Sequence, residues 1–413
     1  MLPSLISRRE AIGRIGAMVF AMPAPPALLE DLTRTAFLYF WEAADPNTGL
    51  VKDRALADGQ LDPRRIGSIA ATGFGLTALC IGAERGYAAN IERRVLATLE
   101  FLWEHLPHEH GFFYHFIDVT NGTRLWNCEL SSIDTALLIC GVLTCGQYWS
   151  NPRIRRLAQK IYERVDWRWM LNGGECLSHG WKPDTGFLKN RWDAYCEHML
   201  LYLLAIGSPT HPIPAESWHA WRRPVFEYEG LRFITVNDPL FIHQYSHAWF
   251  DFAGKRDNYT DYFQNSVLAT KAHRQFCINL KARFPEFSED IWGITASDSA
   301  KGYRAWGGPP EHGKLDGTLV PCAAAGSIPF LPKDTLHTLG KMRERFGEKI
   351  WKGYGFIDAF NPHTNWFNPD VIGIDVGITM LMAENHRSRF VWNTFMKNRE
   401  MQRAMRITGF TPV

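Results

Sequence analysis

The sequence predicts an all-α fold, a barrel of helical hairpins set in two concentric rings. Three observations carry this. Apolar residues recur with the 3.6-residue period of a helix in ten separate stretches, strand signals are sparse, and the loops between stretches are long and aromatic. Strands do not alternate with helices along the chain, which argues against a doubly wound sheet or a β/α barrel. Loops of that length usually carry function.

Taken in order, the periodic stretches fall near 28–43, 67–85, 90–106, 131–148, 152–165, 190–206, 214–226, 259–283, 333–346 and 370–385. Ser131 through Asp134 reads as a capping box that starts the fourth. Glu197 sits within the sixth, and Leu200, Leu201 and Leu204 follow one and two turns later on its face. Asn368-Pro369 reads as the start of the last, with Asp370 as a favourable first-turn charge. The tail KNREMQRAMRITGFTPV is basic and amphipathic, a peripheral helix with a frayed end. FFYHF at 112–116 and GLRFITV at 230–236 are the hairpin pieces.

A length of 413 residues is enough for two or three domains, yet no linker composition interrupts the chain, so one domain over 28–413 is the simplest partition. At 46% hydrophobic and 21% charged residues the chain has the make-up of a globular protein, not of a disordered, collagen-like or coiled-coil one. A net charge of +2 without a basic run gives no footprint for nucleic acid. The excess is aromatic, with 16 Trp, 13 Tyr and 26 Phe, and aromatic faces outside the core suit sugar rings.

Residues 1–27 carry an arginine pair, Arg8-Arg9, followed by a weakly apolar stretch and small residues with prolines. That order predicts a twin-arginine export signal and a periplasmic or secreted protein. No stretch approaches the ~20 uninterrupted apolar residues of a membrane span. The eight cysteines lie mostly within apolar runs and form no C-x-x-C pair, so they read as buried free thiols. P-loop, dinucleotide-binding, serine-hydrolase and zinc-protease motifs are lacking, and His108-Glu109-His110 reads as a solvated loop; neither a metal nor an organic cofactor is expected.

Three acids break apolar or capping patterns, which is where burial can raise a carboxyl pKa and make a proton donor. Glu197 opens a greasy face; the alternative is a structural pair with a neighbouring Arg or with His198. Asp375 is the one charge in VIGIDVGITMLM, a stretch apolar on every side that belongs to the inner ring. Glu129 stands in the loop at the mouth of the helix that Ser131 and Asp134 cap.

The blocks SSIDTALL, GWKPDTGFL, PLFIHQYSHAWFDF, DNYTDYFQNSV, WGITASDSAKGY, DGTLVP, YGFIDAFNP and DVIGIDVGI resemble, in order, the glycoamylase-like proteins, the group that contains glycoside hydrolase family 144. The resemblance runs from about Phe37 to Asn385. It implies an (α/α)6 barrel acting on β-1,2-linked glucan or gluco-oligosaccharide, as an endo-β-1,2-glucanase or a sophorose-releasing enzyme. Tyr195-Cys196-Glu197-His198-Met199 matches the family's Y-x-E-x-M motif, and Glu129 and Asp375 match family acids; which of them is acid and which base stays open. Glycoside cleavage commonly needs one carboxylic acid for the leaving oxygen and one carboxylate for water or the anomeric carbon. Trp192, Tyr195, Tyr245, Tyr303, Trp306, Phe360 and Trp366 are candidates to stack on glucose. Arg54, Gln244, His247 and Asp298 are candidates to bond its hydroxyls. Two other readings compete, a transglycosylase of the same glucans and a glycan-binding barrel without catalysis. Oligomeric state is not legible.

Overall fold

The computed structural model describes residues 25–413, and all but a few residues of the expected export segment lie outside that range. The helices, in chain order, are α1 (Pro25–Glu42), α2 (Ile69–Arg85), α3 (Ile91–Glu104), α4 (Ser132–Tyr148), α5 (Pro152–Glu163), α6 (Trp167–Leu171) and α7 (Met199–Gly207). They continue with α8 (Ser217–Ala220), α9 (Tyr262–Asn279), α10 (Pro321–Ala325), α11 (Pro332–Phe346), α12 (Gly373–Ser388), α13 (Phe390–Phe395) and α14 (Arg399–Ile407). Two 3-10 turns, Leu240–His243 and Tyr245–Ala248, stand where one more inner helix would run.

Members of the inner ring are recognisable by composition. α2, α4, α7 and α12 are apolar nearly all round and almost wholly buried, whereas α3, α5 and α11 bury one stripe. The ring closes by contact: α2 packs on α4, α4 on α7, α10 on α12, and α12 on α2. Between α7 and α10 the 3-10 segment completes it. The Leu200 N–H donates to Ser246 Oγ at 3.0 Å and Gln244 Nε2 donates to the Ala323 carbonyl at 2.9 Å. Each inner element follows an outer one in the chain (α1, α3, α5, α8, α9, α11), so the fold is an (α/α)6 barrel.

α2 and α4 meet backbone to backbone. A Cβ on Gly141 would lie 2.1 Å from the Gly73 carbonyl oxygen, so only glycine fits there. Short strands staple the mouth just upstream of three inner helices: Ile66–Ser68 pairs with Phe116–Asp118, Leu130–Ser131 with Gly180–Lys182, and Asp370–Ile372 with Arg54–Leu56. Ser68 and Ser131 then cap α2 and α4 by accepting the N–H of Ala71 and Asp134.

Several expectations need correction. The helix expected over 190–206 starts only at Met199, because Tyr195 donates its N–H to the Arg222 carbonyl and Arg222 donates back to Asp193, tying the backbone to a neighbour. The 214–226 helix shrinks to α8, followed by a hairpin of Val225–Tyr228 with Leu231–Ile234. Asp370 lies on a strand, not in a first helical turn, and is buried in a two-pronged ion pair with Arg64 (2.6 and 2.7 Å). α12 extends past its apolar stretch to include a second buried acid, Glu384. α10 escaped notice because five residues are too few to show a period. The tail forms α14 as expected, and Thr411–Pro412 pairs with Lys255–Arg256 instead of fraying.

All eight cysteines are free; Cys80 and Cys145 face each other across α2 and α4 with sulfurs 3.6 Å apart. Among the described residues no helix is long and apolar enough to cross a membrane, and no group of three or more His, Cys, Asp or Glu is placed to hold a metal ion.

Candidate active site

The amino ends of the inner elements converge on one mouth. Ser68 caps α2, Asp134 is in the first turn of α4, Glu197 stands two residues before α7, Tyr245 opens the second 3-10 turn and Asp375 is in the first turn of α12. All five line a cavity of about 470 Å³, a size that suits a small ligand. Trp126 and Tyr303 also line it and are 64% and 53% exposed, so flat aromatic faces meet solvent there.

Glu197 is held by its backbone. Ser246 Oγ donates to the Glu197 carbonyl at 2.5 Å while accepting from Leu200, so the 3-10 turn fixes the chain just before α7. The carboxyl is buried and makes no ion pair among the described residues. His198 points away, packed among Trp192, Tyr202 and Trp221, so the structural pair that was the alternative reading does not form. Burial, with the negative charges of Asp238 and Asp134 adding to it, pushes Glu197 up to about 7 against a bond from the Cys196 thiol. Such a group holds a proton near neutrality and can give it away.

Asp375 lies across the mouth and is also raised to about 7 by burial, with hydrogen bonds to Asp358 and Cys322 opposing. Beside it runs a polar chain. Arg54 donates to Asp53 (3.1 Å) and to Asp298 (2.6 Å), and Asn368 Nδ2 donates to both Asp298 (3.1 Å) and Asp358 (2.9 Å). Asp53 is raised by burial, against the pull of Arg54.

The third acid behaves differently. Glu129 accepts from His115 Nδ1 at 3.1 Å, and this bond holds its carboxyl below the usual range against partial burial. Burial works against charging His115, yet Asp134, Glu129 and Asp53 outweigh it and lift the imidazole to about 9. Asp134 lies 3.6 Å from the same nitrogen and accepts a bond from Ser131 Oγ, so the expected cap forms and the capping acid also faces the cavity.

The structure brings Glu197, Asp375, Arg54, Tyr245 and Tyr303 to the cavity, with Glu129 one residue behind it through His115. It sends the other candidates elsewhere. Tyr195 is fully buried with its hydroxyl 3.0 Å from His243, Gln244 is bound to Ala323 and Ser327, and His247 meets Ser266 at 3.0 Å in the core. Trp192 donates to Ser132 and stacks on His179; Phe360 is buried against Phe367. Trp306 is buried beside Ser297, Trp366 packs on the core in a small hairpin, and Asp298 braces Arg54. Aromatic and polar residues in loops of this barrel serve core packing as readily as a ligand. Asp53, His115, Trp126 and Asp358 were missed. Asp53 adjoins Arg54 in sequence, and Trp126 in GTRLWNCEL is a bulky aromatic in a loop without apolar periodicity, the one signal that could have found it. His108-Glu109-His110 forms an exposed hairpin end away from the cavity.

Residues 189–399 match the family model Glycoamylase, described as "Putative glucoamylase". The chain is 30% identical, over 92% of its length, to an exo β-1,2-glucooligosaccharide sophorohydrolase (non-reducing end) of Parabacteroides distasonis, of which it spans 57%. It superposes with TM-score 0.86 and 28% identity on the endo-β-1,2-glucanase of Chitinophaga pinensis, solved with sophorotriose and glucose, covering 94% of this chain and 99% of that one. A β-1,2-glucanase of Parabacteroides distasonis gives TM-score 0.87 at 28% identity, over 94% of this chain and 60% of that one. Half of the chain matches the family model and the shared frame extends over nearly all of it, so the chain belongs to the glycoamylase family.

Proposed function

We propose that this chain is a glycoside hydrolase that cleaves β-1,2-linked glucan, with Glu197 as general acid and Asp375 as general base. One observation carries the mechanism: two buried carboxyls, each raised to about 7, face one cavity edged by exposed aromatic rings. Glu197 protonates the leaving glycosidic oxygen, and ionised Asp375 takes a proton from the attacking water. Trp126, Tyr303 and Tyr245 offer faces to glucose, and Arg54 offers N–H donors to its hydroxyls. Glu129, engaged by His115 and kept ionised, suits charge balance better than proton transfer. The substrate class rests on the relatives, whose names agree on the β-1,2 linkage.

Chromatography of products from linear β-1,2-glucan tests the reading. Sophorose or a ladder of short oligomers is the expected outcome; unchanged polymer would sink it. The Arg8-Arg9 leader supports export of this hydrolase, and amino-terminal sequencing of secreted material should then find a mature end near residues 24–28.

A further inference from the structure

Behind Asp375 lies an acid that the cavity does not reach. Asp358 is 3% exposed, and no cation pairs with it among the described residues. Its Oδ2 accepts two hydrogen bonds, from the Asp298 N–H and from Asn368 Nδ2, both at 2.9 Å. Its Oδ1 receives no N–H donor, and its carboxyl lies beside that of Asp375, the two lining one small cavity. Two carboxyl groups can share a hydrogen bond only if one of them holds a proton. With both lone pairs of Oδ2 taken by N–H donors, the proton of a neutral Asp358 belongs on Oδ1, the oxygen left free to donate it.

We propose that Asp358 is a positioning residue, a carboxylic acid that keeps its proton and donates it to Asp375, fixing the latter as a carboxylate with an oxygen toward the cavity. This rests on the reading of Asp375 as the base. The surroundings favour that placing of the proton. Asp375 borders the open cavity of about 470 Å³ and is hydrogen-bonded to the Cys322 thiol as well, whereas Asp358 does not reach that cavity and lines only a small one of about 30 Å³. Asp53 and Asp298 add negative charge on the strand and loop side, partly offset by Arg54, and Tyr245 and Tyr303 face Asp375 from the cavity. On the far side a cavity of about 30 Å³, lined in part by Tyr354 and Thr35, separates the pair from α1. Burial and the charges of Asp375 and Asp298 hold the Asp358 proton well beyond the usual carboxyl range.

The test compares two variants on β-1,2-glucan. Asp358→Asn reproduces a protonated acid, since the amide oxygen can accept both N–H groups and the NH₂ can donate to Asp375. It should keep kcat within about threefold and leave the acidic limb of the pH profile in place. Asp358→Leu removes the donor, so kcat should fall more than about tenfold with KM unchanged, and the acidic limb should move to higher pH as the carboxylate loses its hydrogen bond. An infrared carbonyl stretch of a protonated carboxyl should persist in the wild type at about pH 9 and vanish in Asp358→Asn, a readout independent of activity. Loss of about a hundredfold in Asp358→Asn would overturn the proposal by showing that Asp358 must ionise. A folded Asp358→Leu protein with the wild-type pH profile would overturn it too; if that variant does not fold, the Asn variant and the infrared band decide. Wild-type protein inert on β-1,2-glucan would strike the functional reading instead, and the infrared arm would still judge the pair.

Discussion

α12 buries two carboxylates nine residues apart and treats them in opposite ways. Asp375, at the amino end, meets another acid and a thiol and borders an open cavity. Glu384, near the carboxyl end, is fully buried and bracketed by two cations, Arg85 from α2 (Nε at 3.2 Å) and Arg387 from its own helix (Nε at 3.1 Å), with the Ser388 hydroxyl donating at 2.5 Å. Arg387 continues to Glu30 of α1 at 2.7 Å, so one network ties three helices at the closed end of the barrel. A buried acid held between arginines is structural. One left with a proton to lose, beside a cavity, is equipped for chemistry.

Exchanging the two acids for amides tests this contrast most directly. Asp375→Asn should lower glucan turnover by ~10²–10⁴-fold and leave the thermal midpoint unchanged or higher, because active-site charges are held against burial. Glu384→Gln should do the reverse, costing about 3 kcal/mol by leaving Arg85 without a carboxylate and Arg387 with Glu30 alone, while the specific activity of the folded protein stays at the wild-type level. Denaturant melts and rate assays on the same preparations check both. Equal stability losses at the two positions would break the comparison.

Glu197→Gln sharpens it. Turnover should fall by ~10²–10⁴-fold with binding retained, and more than a tenth of wild-type kcat would remove Glu197 from the role of acid. Its pKa is raised on folding from 4.5 to about 7, so the stability it contributes is complete below 4.5 and is lost as pH rises through 7. The Gln variant should therefore melt higher than wild type at pH 8, by an amount on the order of 3 kcal/mol, and not at pH 4. Activity needs Asp375 ionised and Glu197 protonated, so kcat/KM should peak near pH 7 and fall on both sides.

A smaller effect belongs to the His115–Glu129 pair. The imidazole is raised from 6.5 to about 9, so its stabilisation is full below 6.5 and fades as pH passes 9. His115→Gln should cost on the order of 1–2 kcal/mol at pH 6 and little at pH 10, given its partial exposure. A cost that does not change with pH would mean the ring is held by packing on Phe116. Smallest is Tyr195→Phe, which removes one buried hydroxyl bond and should cost ~1 kcal/mol while changing kcat less than twofold. A large loss of turnover would return Tyr195 to the site.

The helical frame was legible because long amphipathic or all-apolar runs carry their period in the sequence: α1 to α5, α9, α11 and α12 appear within a few residues of expectation. The short inner elements were not, since five-residue α10 and the 3-10 turns owe their form to the ring they close. Glu197 and Asp375 could be read as acids out of place in apolar surroundings. Their partners could not. Asp358 sits in YGFIDAFNP with nothing local to mark it, and it meets Asp375 only after the chain has folded a loop onto α12. Loop aromatics such as Tyr195 and Phe360 were overread, because sequence gives a residue's type but not whether its face meets solvent or a neighbour. By itself, then, the sequence determined the long helices, their apolar faces and the acids that defy them, all local consequences of periodicity and polarity. Only the tertiary structure decided which acids share a cavity, which are neutralised by arginine and which holds a proton, because desolvation and charge pairing are set by groups distant in the chain.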